Sequence, residues 1–333
     1  MTAGALLLTG ADVVRLLSPR DCIDAIAATL RSHEHGQSHG PASAGLTLPA
    51  GSVHAKLAAI HDEGRLFVVV KSNVNLPGNF ERTGRPTIQG VLLLFDGDTG
   101  EPLAIMDSIA VTSIRTAAVA ALAAEHLAAR AAHTITIAGC GEQGEAQLRA
   151  MSIVRPLTRA FAFDIDAAKA MAFASRMSAE LGVRVDVADD LAAAIRASDI
   201  CVTCTTSTTP FINENHLHPG LFIAAVGADN PGKQEIAAAA LGKSRVVVDS
   251  LSACASSGDL HHAITAGVMT ESDVDGELSA VVAGKIAGRA NADDVFIFDS
   301  TGTALQDVAA AVVIYRRALA ASVGASLVLH NRA

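Results

Sequence analysis

The chain has 333 residues, of which 50% are hydrophobic and 18% charged, with a net charge of −9. That length supports two domains, each with its own core, and the composition excludes a disordered or fibrous chain. The acidic balance argues against nucleic acid or an anionic membrane as the main partner, so an anionic ligand must be met by locally placed cations.

In chain order, the N-terminus MTAGALLLTGADVVRLL has neither a basic segment nor a long apolar run, so no secretory signal is expected. The first helix is predicted to start at Ser18-Pro19, an N-cap followed by proline at the first helical position, with Ile23, Ile26, Ala27 and Leu30 on one face. The segment HEHGQSHGP, holding His33, His35 and His39, reads as a frayed helix end and loop, and no metal is expected there. HAKLAAI, RLFVVVKSNVN, TIQGVLLLF and PLAIMDS read as strands, the last two joined as a hairpin by Asp96-Gly97-Asp98-Thr99-Gly100. Lys56 sits inside the first of them, where an unpaired ammonium is costly to bury, so it faces either solvent or a ligand. Thr112-Ser113 is expected to cap an alanine-rich helix running to about Ala131, which puts Arg115 in its first turns, a poor place for a cation unless an anion is near. Glu125, His126 and Arg130 interrupt the apolar stretch Thr116 to Ala132, so a soluble, cytoplasmic protein with no membrane partner is expected.

The segment TITIAGCGEQGEAQ then places Gly139, Gly141 and Gly144 in a G-x-G-x-x-G turn between a β-branched strand and a helix. Gly139 allows a tight turn, Gly141 lets the backbone approach a pyrophosphate and Gly144 lets the helix pack on the strand, while the helix N-terminus faces the anion. A second strand, Arg159 to Phe163, ends at Asp164, where an acid for a ribose 2′-hydroxyl is expected. Asp164 and Asp166, with no arginine beside them, favour NAD over NADP, although Asp166 also suits an N-cap. Glu142, Gln143, Thr205 and Val226 complete the candidate cofactor-binding set. Further strands are expected at Val183 to Val187, Ile200 to Thr205, Leu221 to Val226, Val246 to Asp249 and Val295 to Phe298, with helices at Asp166 to Leu181 and Asp189 to Ala197. Asp229 follows Phe222 to Gly227, a strand leading into a glycine-flanked loop at a carboxyl edge of the sheet, where ligands bind. Cys201 and Cys204 form a lone C-x-x-C on a strand, and five cysteines in all suit free thiols. The last helix, Thr303 to Val323, is expected to return to the first domain. The fold class is therefore α/β: a Rossmann domain over 118–304 and a discontinuous α/β domain over 1–117 and 305–333.

The stretches LLLFDGDTGEPLAIMD, VTSIRTAAVAALAAEHLA, GCGEQGEAQL, AAVGADNPGKQEI and FDSTGTALQDVAAA, in this order, resemble the ornithine cyclodeaminase/mu-crystallin family over nearly the whole chain. That resemblance implies a discontinuous domain that binds substrate and forms a homodimer, and a nicotinamide chemistry that interconverts amino and imino acids. It implies that Lys56 lies over the substrate, that Arg115 clamps its α-carboxylate, that Thr87 supplies a substrate-side hydroxyl and that Asp229 transfers the proton. One departure stands out: Ser43 occupies the position where many relatives carry a second carboxylate-binding arginine, and a hydroxyl does not replace a bidentate contact. Either Arg115 and Lys56 suffice, Arg85 swings in from the loop TGRPT, or the substrate is not an ordinary α-amino acid. The reading is an NAD(H)-dependent oxidoreductase acting on the C=N or CH–NH bond of a small, often cyclic, imino or amino acid, such as a Δ1-pyrroline-2-carboxylate reductase or an amino-acid dehydrogenase. Ornithine cyclodeamination with internally recycled NAD is the close alternative. A non-catalytic nucleotide or small-molecule binding protein is the rival of another class.

Overall fold

The structure, a computed structural model, describes residues 4–329. The first three and last four residues, assigned above to the first domain, lie outside the described residues. The chain divides into two compact units, Met1–Arg115 with Thr303–Ala333, and Thr116–Gly302.

The first unit opens with β1 (Ala5–Leu8), α1 (Gly10–Leu16) and α2 (Pro19–Glu34). Ser18 caps α2 with Pro19 at its start, but this is not the first helix, because Thr9 and Asp12 form a reciprocal capping box that already starts α1. The stretch read as a frayed end and loop also differs: α2 stays helical to Glu34, and Ser38–Leu48 is strand β2. Pro41 is tolerated there because β2 is an edge strand whose register shifts between His39 and Ala42. The four expected strands follow as β3 (Gly51–Asp62), β4 (Arg65–Asn75), β5 (Ile88–Asp96) and β6 (Pro102–Asp107), with a short helix α3 (Asn79–Thr83) after β4. Glu63 and Gly64, at φ 49° and 78°, make the two-residue turn that pairs Asp62 with Arg65 and fixes the β3–β4 register. In the β5–β6 turn the Asp96 carboxylate accepts the amides of Asp98 and Thr99 and an Arg65 N–H, and the Thr99 amide leads in pulling its pKa down to about 2.

The next helix, α4 (Ser108–Leu127), begins four residues before the expected Thr112-Ser113 cap. The Asp107 carboxylate accepts the Ala110 amide at 2.8 Å and so supplies the cap itself. By length and composition α4 would suit a membrane, yet its run Ala117 to Ala124 is buried in the protein core.

The second unit alternates strand and helix: β7 (Thr134–Ala138), α5 (Glu142–Val154), β8 (Arg159–Phe163), α6 (Ala167–Leu181), β9 (Arg184–Val187), α7 (Leu191–Arg196), β10 (Ile200–Thr203), β11 (Phe222–Ala225), α8 (Ala238–Leu241), β12 (Arg245–Val248), α9 (Leu251–Ser257), α10 (Asp259–Thr265), β13 (Gly276–Glu277), α11 (Leu278–Val282) and β14 (Phe296–Asp299). Its eight-stranded sheet runs β13-β12-β14-β11-β10-β7-β8-β9 with every pairing parallel. Strand order reverses at β7, and ligand crevices open at such a switch point. Ile135, Ile137, Val202, Ile223 and Phe298 are fully buried, as expected of strands covered by helices on both faces.

The chain then returns through α12 (Ala304–Ala321) and β15 (Ala325–Leu327). The seven-stranded sheet of the first unit runs β15-β1-β6-β5-β4-β3-β2. α12 packs on β3 and β4 over buried Ala58, Ile60, Phe67 and Val69.

Candidate active site

The sheet face beneath α12 changes character along its strands. Cross-strand partners share a face, and Ser43 pairs with Lys56, Lys56 with Lys71, and Lys71 with Leu92. Lys71 lies on the same face as buried Phe67 and Val69, two and four residues earlier on β4. An apolar face thus becomes cationic in a single row. The Lys71 ammonium, 3% exposed, donates to Asp307 Oδ1 at 2.7 Å and to Thr112 Oγ1 at 3.3 Å. Arg115, the eighth residue of α4 rather than one of its first-turn residues, is buried; its Nη1 donates to Gln306 Oε1 at 2.7 Å and its Nε lies 3.3 Å from Asp307 Oδ1. The acid that compensates this cation is a side chain on α12, and the helix dipole argument does not apply. Arg115 Nε and Asp307 Oδ2 are both buried without a hydrogen-bond partner.

Burial pushes the Lys71 ammonium down to about 7, opposed by Asp307 and reinforced by Arg115 and Lys56. Burial works to raise the Asp307 carboxyl, but the charges of Lys71 and Arg115 outweigh it and hold it below its ordinary value. Lys56 is half-buried and close enough for its charge to act on both. Lys71 and Asp307 were missed from sequence. Lys71 carries the same signal as Lys56, a lysine inside an apolar strand, whereas Asp307 lies 236 residues from Lys71 and has no local signature. Thr87 is exposed just before β5, its carbonyl accepting the Leu76 amide, five residues ahead of the Leu92 that faces Lys71.

In the second unit the glycine turn follows β7 as expected. Gly139 has φ 107°, and a Cβ there would come within 2.9 Å of the Cys204 carbonyl oxygen. A Cβ on Gly144 would collide with the Gly139 carbonyl oxygen. Gly141 differs: its φ of −85° is open to any residue, and no protein atom lies within 4 Å of a Cβ placed there. Nothing in the protein demands glycine at this position, whereas an approaching pyrophosphate does. The N-terminus of α5, starting at Glu142, has no side-chain cap, and Gln143 Nε2 is a buried donor without a partner. These open donors fit a dinucleotide phosphate.

Asp164 accepts the Cys140 amide at 2.8 Å through Oδ2 and the Asp166 amide at 3.0 Å through Oδ1, so it braces the turn and retains lone pairs for a ribose. Asp166 is the N-cap of α6. Thr205 and Val226 lie at the carboxyl ends of β10 and β11, where one buried side chain organises the edge. Glu235 accepts the Thr205 amide and hydroxyl on Oε1, and the Thr203 hydroxyl and Gly227 amide on Oε2. Glu235 is a site residue beyond those expected from the sequence. Two residues beyond Gly227, Asp229 is exposed and accepts from Lys233 Nζ at 2.8 Å and Asn230 Nδ2 at 3.1 Å. The structure thus gathers Lys56, Arg115 and the newly found Lys71 in one unit, and the glycine turn, Asp164, Thr205, Val226 and Asp229 in the other. Among the described residues no group of three or more histidine, cysteine or acidic side chains could hold a metal. All five cysteines are free.

The chain is 34% identical over 322 residues to the alanine dehydrogenase of Archaeoglobus fulgidus, covering 97% of this chain and 98% of that one. An archaeal alanine dehydrogenase dimer with bound NAD superposes with a TM-score of 0.92 at 33% identity, covering 98% of this chain and 99% of the other. The Δ1-pyrroline-2-carboxylate reductase of Thermococcus litoralis, in complex with NADH and L-proline, gives a TM-score of 0.91 at 29% identity over 97% of this chain and 100% of that one. The pattern of one family matches residues 4–322, and with the glycine turn and the Arg115 surroundings already in view, the chain belongs to the ornithine cyclodeaminase/mu-crystallin family.

Proposed function

We infer that the chain is an NAD(H)-dependent oxidoreductase acting on the C=N or CH–NH bond of a small imino or amino acid. The observation that carries this reading is the buried row in which Lys71 and Arg115 share Asp307 while Arg115 Nε is left without a hydrogen bond. Buried cations in excess of their counter-ion are stable only when an anion completes them, and an α-carboxylate is such an anion. The second unit holds the cofactor on Gly139, Gly141, Gly144 and the α5 N-terminus, with Glu142, Gln143, Thr205 and Val226 lining it and Asp164 on the ribose. A bound nicotinamide supplies or accepts the hydride. Asp229 transfers the accompanying proton. Lys71, whose ammonium is lost near neutral pH, is a second donor, and Lys56 is a third group on the substrate side. Thr87 contributes a hydroxyl on the substrate side.

The relatives support this substrate class: one reduces Δ1-pyrroline-2-carboxylate and was captured with NADH and L-proline, and others are alanine dehydrogenases. The opposite face of the same sheet carries exposed Leu46, Leu57 and Val91, an apolar surface suited to a second copy of the chain, and the archaeal relative is a dimer. We assign the protein to the cytoplasm on the same likeness. The test is a screen of amino acids and cyclic imines against both cofactors, followed at the nicotinamide absorbance with ammonia measured in parallel. NADH consumption with an imine, at least tenfold more efficient than with NADPH, is expected. Ammonia release with no net redox change identifies cyclodeamination instead, and binding without turnover identifies a binding protein.

A further inference from the structure

Three side chains on one face of α4 meet the polar row beneath α12. Ser108, Thr112 and Arg115 stand at i, i+4 and i+7: the Ser108 hydroxyl donates to Asn73 Oδ1 at 2.6 Å, Thr112 accepts from Lys71, and Arg115 meets Asp307. Asn73 follows Lys71 by two residues on β4 and shares its face. It lies at the more open end, since Phe67, Val69 and Lys71 are buried whereas Asn73 and Asn75 are half-buried. A ligand seated on Lys71 and Arg115 therefore has the Asn73 carboxamide as its next polar neighbour on the strand.

The orientation of that carboxamide is fixed. The fully buried Ser108 occupies Oδ1, and a Cβ on Gly90, the cross-strand partner of Asn73, would collide with the same oxygen. With Oδ1 taken by a hydroxyl, the group Asn73 offers to a ligand is the Nδ2 amino group, a donor that carries no charge. Asn75, next on this face, adds a carboxamide whose Oδ1 is buried without a hydrogen-bond partner, an acceptor that opposes a second anion.

We propose that Asn73 recognises an uncharged oxygen on the side chain of the substrate, so that the accepted amino or imino acid carries a hydroxyl or a carboxamide beyond its α-carbon. This rests on the reading that Arg115 and Lys71 hold the α-carboxylate, which leaves Asn73 to meet what extends beyond it. The Asn73 N–H donates to such an oxygen, and the group's own O–H or N–H suits the acceptor on Asn75. A hydrocarbon side chain leaves the Asn73 donor unmet, and a carboxylate sets its charge against Asn75 Oδ1. Ser108 is a positioning residue that acts through Asn73.

The experiment compares kcat/KM for near-isosteric amino acids oxidised with NAD: homoserine against norvaline, asparagine against leucine, and asparagine against aspartate. The compound with the uncharged oxygen is expected to lead by at least about fivefold, the worth of one hydrogen bond. A lead in either of the first two comparisons supports the proposal and identifies the group as hydroxyl or carboxamide. Asn73→Asp keeps an acceptor for Ser108 but has no N–H, and should bring that ratio to within about twofold of unity. Ser108→Ala should shrink the ratio, and Ser108→Thr, which keeps the hydroxyl, should retain it. Equal or better turnover of both norvaline and leucine by the wild type overturns the proposal while leaving the oxidoreductase reading intact, as does a lead of aspartate over asparagine. A ratio that survives Asn73→Asp overturns the role of Asn73. No turnover of any amino or imino acid with either cofactor overturns both readings. Where Asn73→Asp does not fold, the wild-type ratios still decide the substrate class and the two Ser108 variants decide the residue.

Discussion

Both units bury charge, with opposite signs and different means of compensation. In the first, Lys71 and Arg115 converge on Asp307, and Arg115 Nε and Asp307 Oδ2 remain without hydrogen bonds. In the second, the buried carboxylates Glu235, Asp259, Asp249 and Asp299 are met largely by backbone amides and hydroxyls: Asp259 Oδ1 accepts the amides of Glu235 and Ile236, Asp249 Oδ2 accepts the Ser300 hydroxyl and Gly302 amide, and Asp299 Oδ2 accepts the Leu260 amide. Those partners are chain atoms at the ends of strands and helices, so the acids fix loop geometry. The cations have only side-chain partners among their described hydrogen bonds, and too few of them. A cluster held mainly by backbone is architecture, even with Asp259 Oδ2 and Asp299 Oδ1 left without a donor. A cluster short of counter-charge is a place for a ligand.

The sharpest test lies where the acidic scaffold ends. Glu235 pins Gly227, and the exposed Asp229 stands two residues later. Asp229→Asn is expected to lower kcat by about two to four orders of magnitude, the range of general acid–base catalysis, with NADH affinity and Tm little changed. Unimpaired single-turnover hydride transfer would move the proton to Lys71.

Arg115→Ala is expected to lower kcat/KM for substrate by a factor corresponding to roughly 2 to 4 kcal/mol, the cost of losing a charge-assisted bidentate contact, while a fluorescence titration with NADH stays within about twofold of wild type. If NADH binding falls in parallel, Arg115 is structural and the contrast between the two clusters fails.

A smaller effect comes from pH. With Lys71 near 7 in the folded protein, its ammonium is lost as pH rises through that value, so kcat/KM for imine reduction is expected to fall about tenfold per unit above neutrality. Lys71→Arg, which stays charged, should remove this limb from the profile. A limb that persists belongs to another group.

What could be read without coordinates follows from where each signal resides. The glycine turn, the Asp166 cap and the parallel strands are carried by adjacent residues, and they form at the expected positions. The β2 strand was hidden by Gly40-Pro41, which signals a break unless the strand is known to be an edge. The α4 start was misread because Asp107, closing β6, caps as well as any threonine. The Lys56–Lys71 pairing was within reach, since recognising Glu63-Gly64 as a two-residue turn fixes that register. Asp307 was not, because only the return of α12 across the sheet brings it to Lys71.

The least perturbing test addresses the acidic scaffold. Asp259 Oδ2 and Asp299 Oδ1 are buried without a donor, and burial raises both carboxyls, Asp299 to about 7 and Asp259 well above its ordinary value. Asp249 and Glu235 add their charges at Asp299, and the Leu260 and Asp259 amides oppose them. The folded state therefore holds a proton that the unfolded chain releases near pH 4, and the stability this contributes is present below that value and lost as pH rises through about 7. Asp299→Asn keeps an acceptor for the Leu260 amide, supplies a permanent N–H donor and does not titrate. Its Tm should thus fall a few degrees less than that of the wild type between pH 5 and pH 8, with kcat/KM at neutral pH within about threefold of wild type. The same Tm change in both proteins would mean that no proton is held there, and a large loss of activity would mean that the acids do more than fix loops.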